Sequence, residues 1–524
     1  MTLATDNLVW VAVLAVGLSM LLRSRGMGTA LPLLAVGILI GFLPFGPQAP
    51  AAPELIQSVV LAPLVFGEAL SSSYIDLKRV QRPVLVLAVG LVAVTTLVVG
   101  GVTALMFGTI PLAMAFALGA VLAPTDAVAV AAAARRANLP ARLVSILEGE
   151  SLVNDGTGLT ALRVATVAAV AGTVTVAESG LILLQSVLVA GIVGALAGWA
   201  LILVIRHSTD VVGFGGLLLV APFVIYIVTE RFEGSSILAI VIAALMASHA
   251  SHSDPTYRGR LHTAAVWRQI TFILSAIAFL LLGLYLPMAI AALDPAERTM
   301  LVVAVPTVVA TLIATRMAFV LGAFGLSRRV GAGPEGRWRN ALLVGWAGAR
   351  GPVSALAAFS IPLLTDAGDA LPYRDLVIAV SLCVITVTLA LSPTLAAIAR
   401  RLNIGEGDAV ALHARVQVAM ARAALTALET AETDAERDGE PISPEVVRAL
   451  RSSVDRRLES SVDHTAAFER LRQAADVGLA MALAEQQELL RMRTEEGLPD
   501  VIVRPLLVDL DRRIATIRAG RGGR

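Results

Sequence analysis

The sequence predicts an all-α, polytopic membrane protein of about 13 transmembrane helices, with inverted repeats and two broken helices, followed by a helical cytoplasmic tail. Three observations carry that expectation. The 524-residue chain is 57% hydrophobic with a mean hydropathy of +0.80, against about 45–50% apolar residues in soluble domains. Apolar runs long enough to cross about 30 Å of hydrocarbon at about 1.5 Å per residue recur as far as Arg401. There they stop, and the charge balance turns from 24 basic and 19 acidic residues in 1–401 to 17 basic and 21 acidic in 402–524.

The runs fall at roughly 8–22, 27–44, 55–70, 83–107, 111–134, 143–172, 179–205, 211–229, 235–250, 269–292, 299–325, 340–364 and 375–399. The first follows Met1-Thr-Leu-Ala-Thr-Asp-Asn7. With no basic n-region and no small-residue cleavage pattern it is read as a span, not a secretory signal. The fifth run carries Pro124 and the twelfth carries Gly348, Gly351 and Pro352. A mid-span proline removes one backbone donor and clashes with the preceding turn, so both helices are expected to break. Interrupted spans are tolerated where the freed carbonyls line a protein-enclosed cavity, and there they can ligate a cation. If spans 1–6 and 8–13 are inverted repeats, the two breaks occupy corresponding places.

The loops test this count independently. One alternating set carries Arg23, Arg25, Lys78, Arg79, Arg82, Arg135, Arg136, Arg142, Arg206, Arg258, Arg260, Arg268, Arg328, Arg329, Arg337, Arg339, Arg400 and Arg401; the other has only Arg231, Arg298 and Arg374. Eighteen against three implies an N-terminus outside and a C-terminus in the cytoplasm. The domains are then 1–401 in the membrane and a tail at 402–524. In the tail, Val447-Arg448 with Val454-Asp455-Arg456-Arg457 recurs 56 residues later as Val503-Arg504 with Leu510-Asp511-Arg512-Arg513. Two helical hairpins are expected, docking on each other or on a second subunit.

Composition narrows the function. A net charge of +1 gives no support to nucleic-acid binding, and the lone Cys383 excludes a disulfide framework or CxxC site. No HExxH, GxSxG or Ser/His/Asp order marks an enzyme, and no GxGxxG in the tail marks a nucleotide sensor. The six histidines lie at loops, span ends or in the tail. What remains is a set of ionisable residues at expected bilayer depth: Glu68, Asp126, Glu148, Glu150, Asp155, Arg163, Arg316 and Arg350. Such residues mark an ion or proton path by default. Glu68, Glu148 and Arg163 fit equally well as solvated span-end anchors; Asp126, Asp155 and Arg350 lie too deep for that. Ser151 and Asp155 are four apart and share one helix face. A carboxylate, a hydroxyl and freed carbonyls around Thr125 make a hard-oxygen site suited to a small alkali cation.

Pro124-Thr125-Asp126, Glu150-Ser151-Leu152-Val153-Asn154-Asp155 and Gly348-Ala349-Arg350-Gly351-Pro352-Val353-Ser354 together resemble the signature regions of the monovalent cation:proton antiporter-1 family, the bacterial and eukaryotic sodium/proton exchangers. The similarity runs through essentially all of 8–400. It implies that Asp155 binds either cation or proton, with Ser151 and the Thr125 backbone as further sodium ligands and Asn154 as structural neighbour. Asp126 would lie at the crossing of the broken helices, Glu150 would pair with Arg350, and Arg316 would steady the unwound backbone. The family architecture implies a homodimer, each protomer with a dimerisation domain and a six-helix core moving against it. Where many members have Phe-Glu-Ala in the third span, this chain has Phe66-Gly67-Glu68-Ala69, so Glu68 receives no role.

The function expected is sodium/proton antiport by alternating access in the cell membrane, with proton and cation competing for Asp155. Electrogenic relatives carry two adjacent aspartates; Asn154 cannot titrate and arginine stays charged, so exchange is expected to be one for one and electroneutral. The rivals are potassium/proton antiport, and, from another class, a cation channel or a membrane sensor. A channel needs a continuous hydrated path, and a sensor a recognisable output domain. No cofactor is expected beyond the transported sodium ion and proton. The expected partners are a second protomer and membrane lipid, with the tail binding a regulator or the other protomer.

Overall fold

The computed structural model describes residues 2–43, 57–126, 129–131, 134, 137, 139–172, 175–207, 210–253, 257–325, 333–404, 407–437, 442–462, 466–495, 506–507, 509–515 and 517. Among these there is no β-strand, only an isolated bridge between Leu364 and Ala370. The all-α expectation holds. The chain divides into two compact units, Met1–Gly405 and Glu406–Arg524.

In the first unit the helices are α1 (Thr2–Ser24), α2 (Ala30–Gly41), α3 (Ala62–Ser71), α4 (Tyr74–Arg79), α5 (Gln81–Leu85), α6 (Val92–Met106), α7 (Leu112–Leu122), α8 (Ala141–Ala171), α9 (Val176–His207), α10 (Val211–Arg231), α11 (Ser236–Ser253), α12 (Tyr257–Ala292), α13 (Pro295–Gly325), α14 (Gly333–Trp346), α15 (Pro352–Ala358), α16 (Arg374–Leu391) and α17 (Thr394–Arg401). Short π-helical stretches, Gln57–Leu61 and Val86–Leu91, lead into α3 and α6. Each predicted apolar run holds helix. By length and hydropathy alone, six helices among the described residues are apolar enough to cross a membrane single-handed, and five shorter apolar helices accompany them.

Both expected breaks are present. Helix α7 ends at Leu122 and residues 123–126 are non-helical; α14 ends at Trp346 and residues 347–351 are non-helical before α15 begins on Pro352. Proline at the first position of α15 forfeits an N–H that would have no helical partner anyway.

Small residues set the close packing, as expected where lipid offers no hydrophobic drive between helices. A β-carbon on Gly37 of α2 would lie 2.9 Å from the Cα of Gly283 on α12, so these helices touch through their backbones. Helix α8, the carrier of the predicted exchange residues, packs against α7, α11 and the π-helical stretch before α6. That encloses its polar face in protein.

In the second unit α18 (Gly407–Arg437) and α19 (Pro444–Val462) form one helical hairpin, joined by the Arg451–Glu432 pair at 3.6 Å. Helix α20 (Ala466–Glu495) meets the last described helical residues through Gln486 Nε2 donating to Asp511 Oδ1 at 2.8 Å and the Arg513–Glu485 pair at 2.7 Å. The two hairpins read from the repeat are there.

Candidate functional site

The site is built where the two broken segments meet on α8. The backbone N–H of Asp126 donates to the carbonyl oxygen of Ala349 at 2.9 Å, so the unwound stretches hydrogen-bond to each other. Broken helices leave orphan carbonyls at the ends that stop and orphan N–H groups at the ends that resume, and each set has found a charge.

On the carbonyl side, Arg350 Nε donates to Leu122 O, the last residue of α7, at 3.0 Å. Arg316 donates from Nε and Nη2 to Val344 O, in the final turn of α14, at 3.3 and 3.2 Å. Cations at helix C-termini are favourable by dipole as well as by hydrogen bond. On the N–H side, Asp126 Oδ2 accepts from Ala129 N at 2.7 Å where helix resumes. The same carboxylate lies against Gly351, in the space a β-carbon there would fill. Only glycine admits that approach.

Glu150 answers Arg316, not Arg350. Arg316 Nη1 and Nη2 donate to the two Glu150 carboxylate oxygens at 2.5 and 2.8 Å, with both side chains almost wholly buried. This corrects the expected Glu150–Arg350 pair. The Arg350 guanidinium is held by Leu122 O and Gly348 O, which leaves it in electrostatic reach of Glu150 without forming the bidentate fork. Arg316 itself reaches backbone at Val344 O, in the last helical turn before the unwound stretch and not in the stretch itself.

One turn along α8 lie the proposed ligands. Ser151 Oγ donates to Thr125 O, and Asn154 Nδ2 donates to Thr125 Oγ1 at 2.9 Å. Helix α8 thus grips the first broken segment by two polar side chains on one face. Asn154 Oδ1 is buried and finds no hydrogen-bond partner among the described residues. Asp155 is 4% exposed, at the same level. Gly158, one turn further, has the Pro124 ring where its β-carbon would stand, which brings the proline break flush against α8.

Glu68 is a residue that the sequence places at bilayer depth but gives no role. It sits half-buried on α3, within electrostatic reach of both Asp126 and Asp155. The available signal was an acidic residue in an apolar run. Arg163, two turns beyond Asp155, donates to Gly234 O at 2.7 Å and lies 3.8 Å from Glu230. These line a cavity of about 200 Å³ with Gln57, Thr160 and Tyr226. Among the described residues no three histidine, cysteine, aspartate or glutamate side chains converge to hold a metal ion.

Two helices broken at their crossing, with buried charges that satisfy the broken ends and a buried carboxylate beside them, define a membrane-embedded secondary transporter. The pattern described as sodium/hydrogen exchanger, transmembrane, matches residues 10–398, and the chain belongs to that family. The chain is 30% identical over 489 residues to the sodium, potassium, lithium and rubidium/H+ antiporter of Bacillus pumilus, covering 89% of this chain and 71% of that protein. It is also 30% identical to an uncharacterized Na+/H+ exchanger of Mycobacterium tuberculosis strain H37Rv, over 97% of both chains. The fold is similar to the sodium proton antiporter MjNhaP1 from Methanocaldococcus jannaschii, with a TM-score of 0.63 at 19% identity over 76% of this chain and 99% of that one. The protein is a multi-pass membrane antiporter of the sodium/proton class.

Proposed function

We propose that the protein exchanges one sodium ion for one proton, electroneutrally, with both competing for Asp155. The observation that carries this reading is the charge arrangement around the crossing. Glu150 is neutralised by Arg316 and Asp126 is engaged with resuming helix, whereas Asp155 is buried, one turn from Ser151 and next to Asn154, which has no proton to lose. Burial disfavours a bare carboxylate charge, so Asp155 needs a proton or a cation. If the core moves only when that charge is neutralised, exchange is obligatory without any further coupling device.

Ser151, the Thr125 carbonyl and Asp126 are the further ligands we assign to sodium, with Asn154, Glu150, Arg350 and Arg316 holding the geometry. An oxygen-only set also admits lithium and potassium, in keeping with the cargo in the name of the Bacillus pumilus relative. We place the protein in the cell membrane as a homodimer, N-terminus outside, with residues 402–524 as a cytoplasmic regulatory tail; the loop arginines support that orientation. The test is sodium-driven proton movement in proteoliposomes. Sodium-dependent proton efflux that saturates and vanishes when both gradients are absent supports exchange. Proton or sodium conductance without the counter-ion would overturn it.

A further inference from the structure

Arg163 sits two turns beyond Asp155 on α8, toward the side of the sparsely basic loops that the arginine count places outside. The exchange chemistry proposed above gives it no task. An arginine at this depth is costly unless it finds partners, and its partners lie across from α8: Nη1 donates to Gly234 O at 2.7 Å and lies 3.8 Å from Glu230 Oε2. Glu230 is in the last turn of α10, and Gly234 stands in the turn that leads to α11. Ser236 Oγ donates to the other Glu230 oxygen. Thr160, nearer Asp155 on α8, donates from Oγ1 to Ser235 Oγ at 2.9 Å. The receiving turn is itself firmly seated: side chains of Val189 and Thr229 stand where a β-carbon on Gly234 would lie, and Ser235 N donates to Ser186 O of α9 at 3.1 Å.

These contacts cross a seam between two hydrophobic clusters. Leu162 and Ala165 of α8 belong to one cluster with α7 and α16, whereas Ala221 and Ile225 of α10 and Ile237 and Ile240 of α11 belong to the other; Leu159 packs against both. The seam changes character with depth. Beside Asp155 it is apolar and tight, since a β-carbon on Gly156 would stand 3.1 Å from Leu238 Cδ1. Beyond Leu159 it is polar and lines the cavity of about 200 Å³. Leu159, Leu162 and Thr166 on the cavity wall follow Asp155 at 4, 7 and 11 residues, the stripe of one helix face. The cavity therefore runs along the face that carries Asp155, with Leu159 between them.

We infer that Arg163 and Thr160 latch an outer gate: their hydrogen bonds to Gly234 and Ser235 hold α8 against α11 over Leu159, and the cavity is the outer vestibule from which a cation reaches Asp155 when the latch releases. This inference rests on the exchange at Asp155 proposed above. A latch that opens in every cycle has to be weak. The Arg163 and Glu230 side chains are 27% and 46% exposed and 3.8 Å apart, so that pair holds little. The holding falls to the backbone bond at Gly234 and the hydroxyl bond at Ser235.

The test reads access to the seam. Full-length chains carrying Cys383→Ala and Leu238→Cys, the latter at the depth of Gly156, are treated with a membrane-impermeant thiol reagent in right-side-out and in inside-out vesicles. Loss of one charge-assisted hydrogen bond at a partly exposed site shifts an equilibrium about three- to tenfold. Arg163→Gln should speed labelling from outside by that factor and slow it from inside. Thr160→Val, which keeps the shape and lacks the hydroxyl, should act in the same direction. Arg163→Lys, which keeps a donor for Gly234 O, should fall between Arg163→Gln and the unmodified residue, and Glu230→Gln should do less than Arg163→Gln. Unchanged outside labelling in both Arg163→Gln and Thr160→Val, equal acceleration from both faces, or faster labelling from the inside would overturn the latch. The opposed changes are expected to persist in Asp155→Asn, whose neutral amide leaves the core free to move, so the latch and the assignment of Asp155 fail separately.

Discussion

Arg316 holds both carboxylate oxygens of Glu150, at 2.5 and 2.8 Å, and with the same guanidinium reaches Val344 O at 3.2 Å. One side chain on α13 therefore joins α8, which carries Asp155, to the stopping end of the broken helix α14. Desolvating both charges is costly, and a bidentate fork with a backbone acceptor on the spare donors is the geometry that offsets it.

Glu150→Ala or Arg316→Ala should each cost about 3–5 kcal/mol, because each leaves an uncompensated buried charge. Replacing both should return much of that loss, a coupling that a double-mutant cycle isolates. Thermal unfolding in detergent of the two single variants and the double measures it. Arg350→Ala combined with Glu150→Ala should recover far less, since no fork joins them; equal recovery with Arg350 would contradict the geometry.

The contrast between the two arginines shows what the sequence could and could not tell. Pro124, Gly351 and Pro352 announce both breaks, because proline and glycine act on the backbone locally. The spacing of Ser151 and Asp155 announces one helix face. Which arginine Glu150 meets is a matter of depth between helices far apart in the chain, and both candidates lay in apolar runs. Glu68 illustrates the same limit: it reaches Asp126 and Asp155 only through the way α3 packs. The π-helical turns at Gln57–Leu61 and Val86–Leu91 left no periodicity signal at all.

Asp155→Asn should abolish sodium-driven proton efflux while leaving the protein folded, since the amide keeps the shape and removes the exchangeable charge. Proteoliposome flux measures the first, and an unfolding midpoint near that of the unmodified chain the second. Residual exchange close to that of the unmodified protein would remove Asp155 from its assigned role.

Gly158→Ala should both destabilise the protein and slow exchange. Its β-carbon would stand 2.8 Å from Pro124 Cδ and 3.3 Å from Ala120 O, so the proline break must move off α8. Overpacking of this kind costs about 1–3 kcal/mol. It also loosens the hold of Ser151 and Asn154 on Thr125. Gly180→Ala, with nothing within 4 Å of the new methyl, is the control and should leave the unfolding temperature unlowered. Equal behaviour of the two variants in thermal unfolding would refute the close approach.

Removing residues 406–524 should leave exchange in place with a shifted pH profile or a lower rate. Every charge at the crossing belongs to the unit Met1–Gly405, so the chemistry needs nothing from the second unit. Sodium-driven efflux across a pH series, in a truncation shown to be inserted, is the measurement. Complete loss of transport would make the tail part of the exchange step itself.

Electroneutrality follows from counting the charges that can change. In the proposed cycle Asp155 trades one charge for one charge, Asn154 adds none, and Arg316 and Arg350 carry their charges throughout. An imposed potential, worth about 2.3 kcal/mol per elementary charge per 100 mV, should then leave the equilibrium sodium distribution unchanged at a fixed pH gradient. Competition for one carboxylate also fixes the sign of the pH effect. As pH falls below the titration of the site, protons displace sodium, and apparent sodium affinity should weaken about tenfold per pH unit, since each unit is about 1.36 kcal/mol. Sodium flux in vesicles clamped at several potentials with potassium and valinomycin reads both, after a control that potassium is not carried. An equilibrium that moved with voltage would require a second titrating carboxylate. Glu68 is the first to examine, because it shares the electrostatic field of Asp155 and has no cationic partner of the kind that neutralises Glu150 among the described ion pairs.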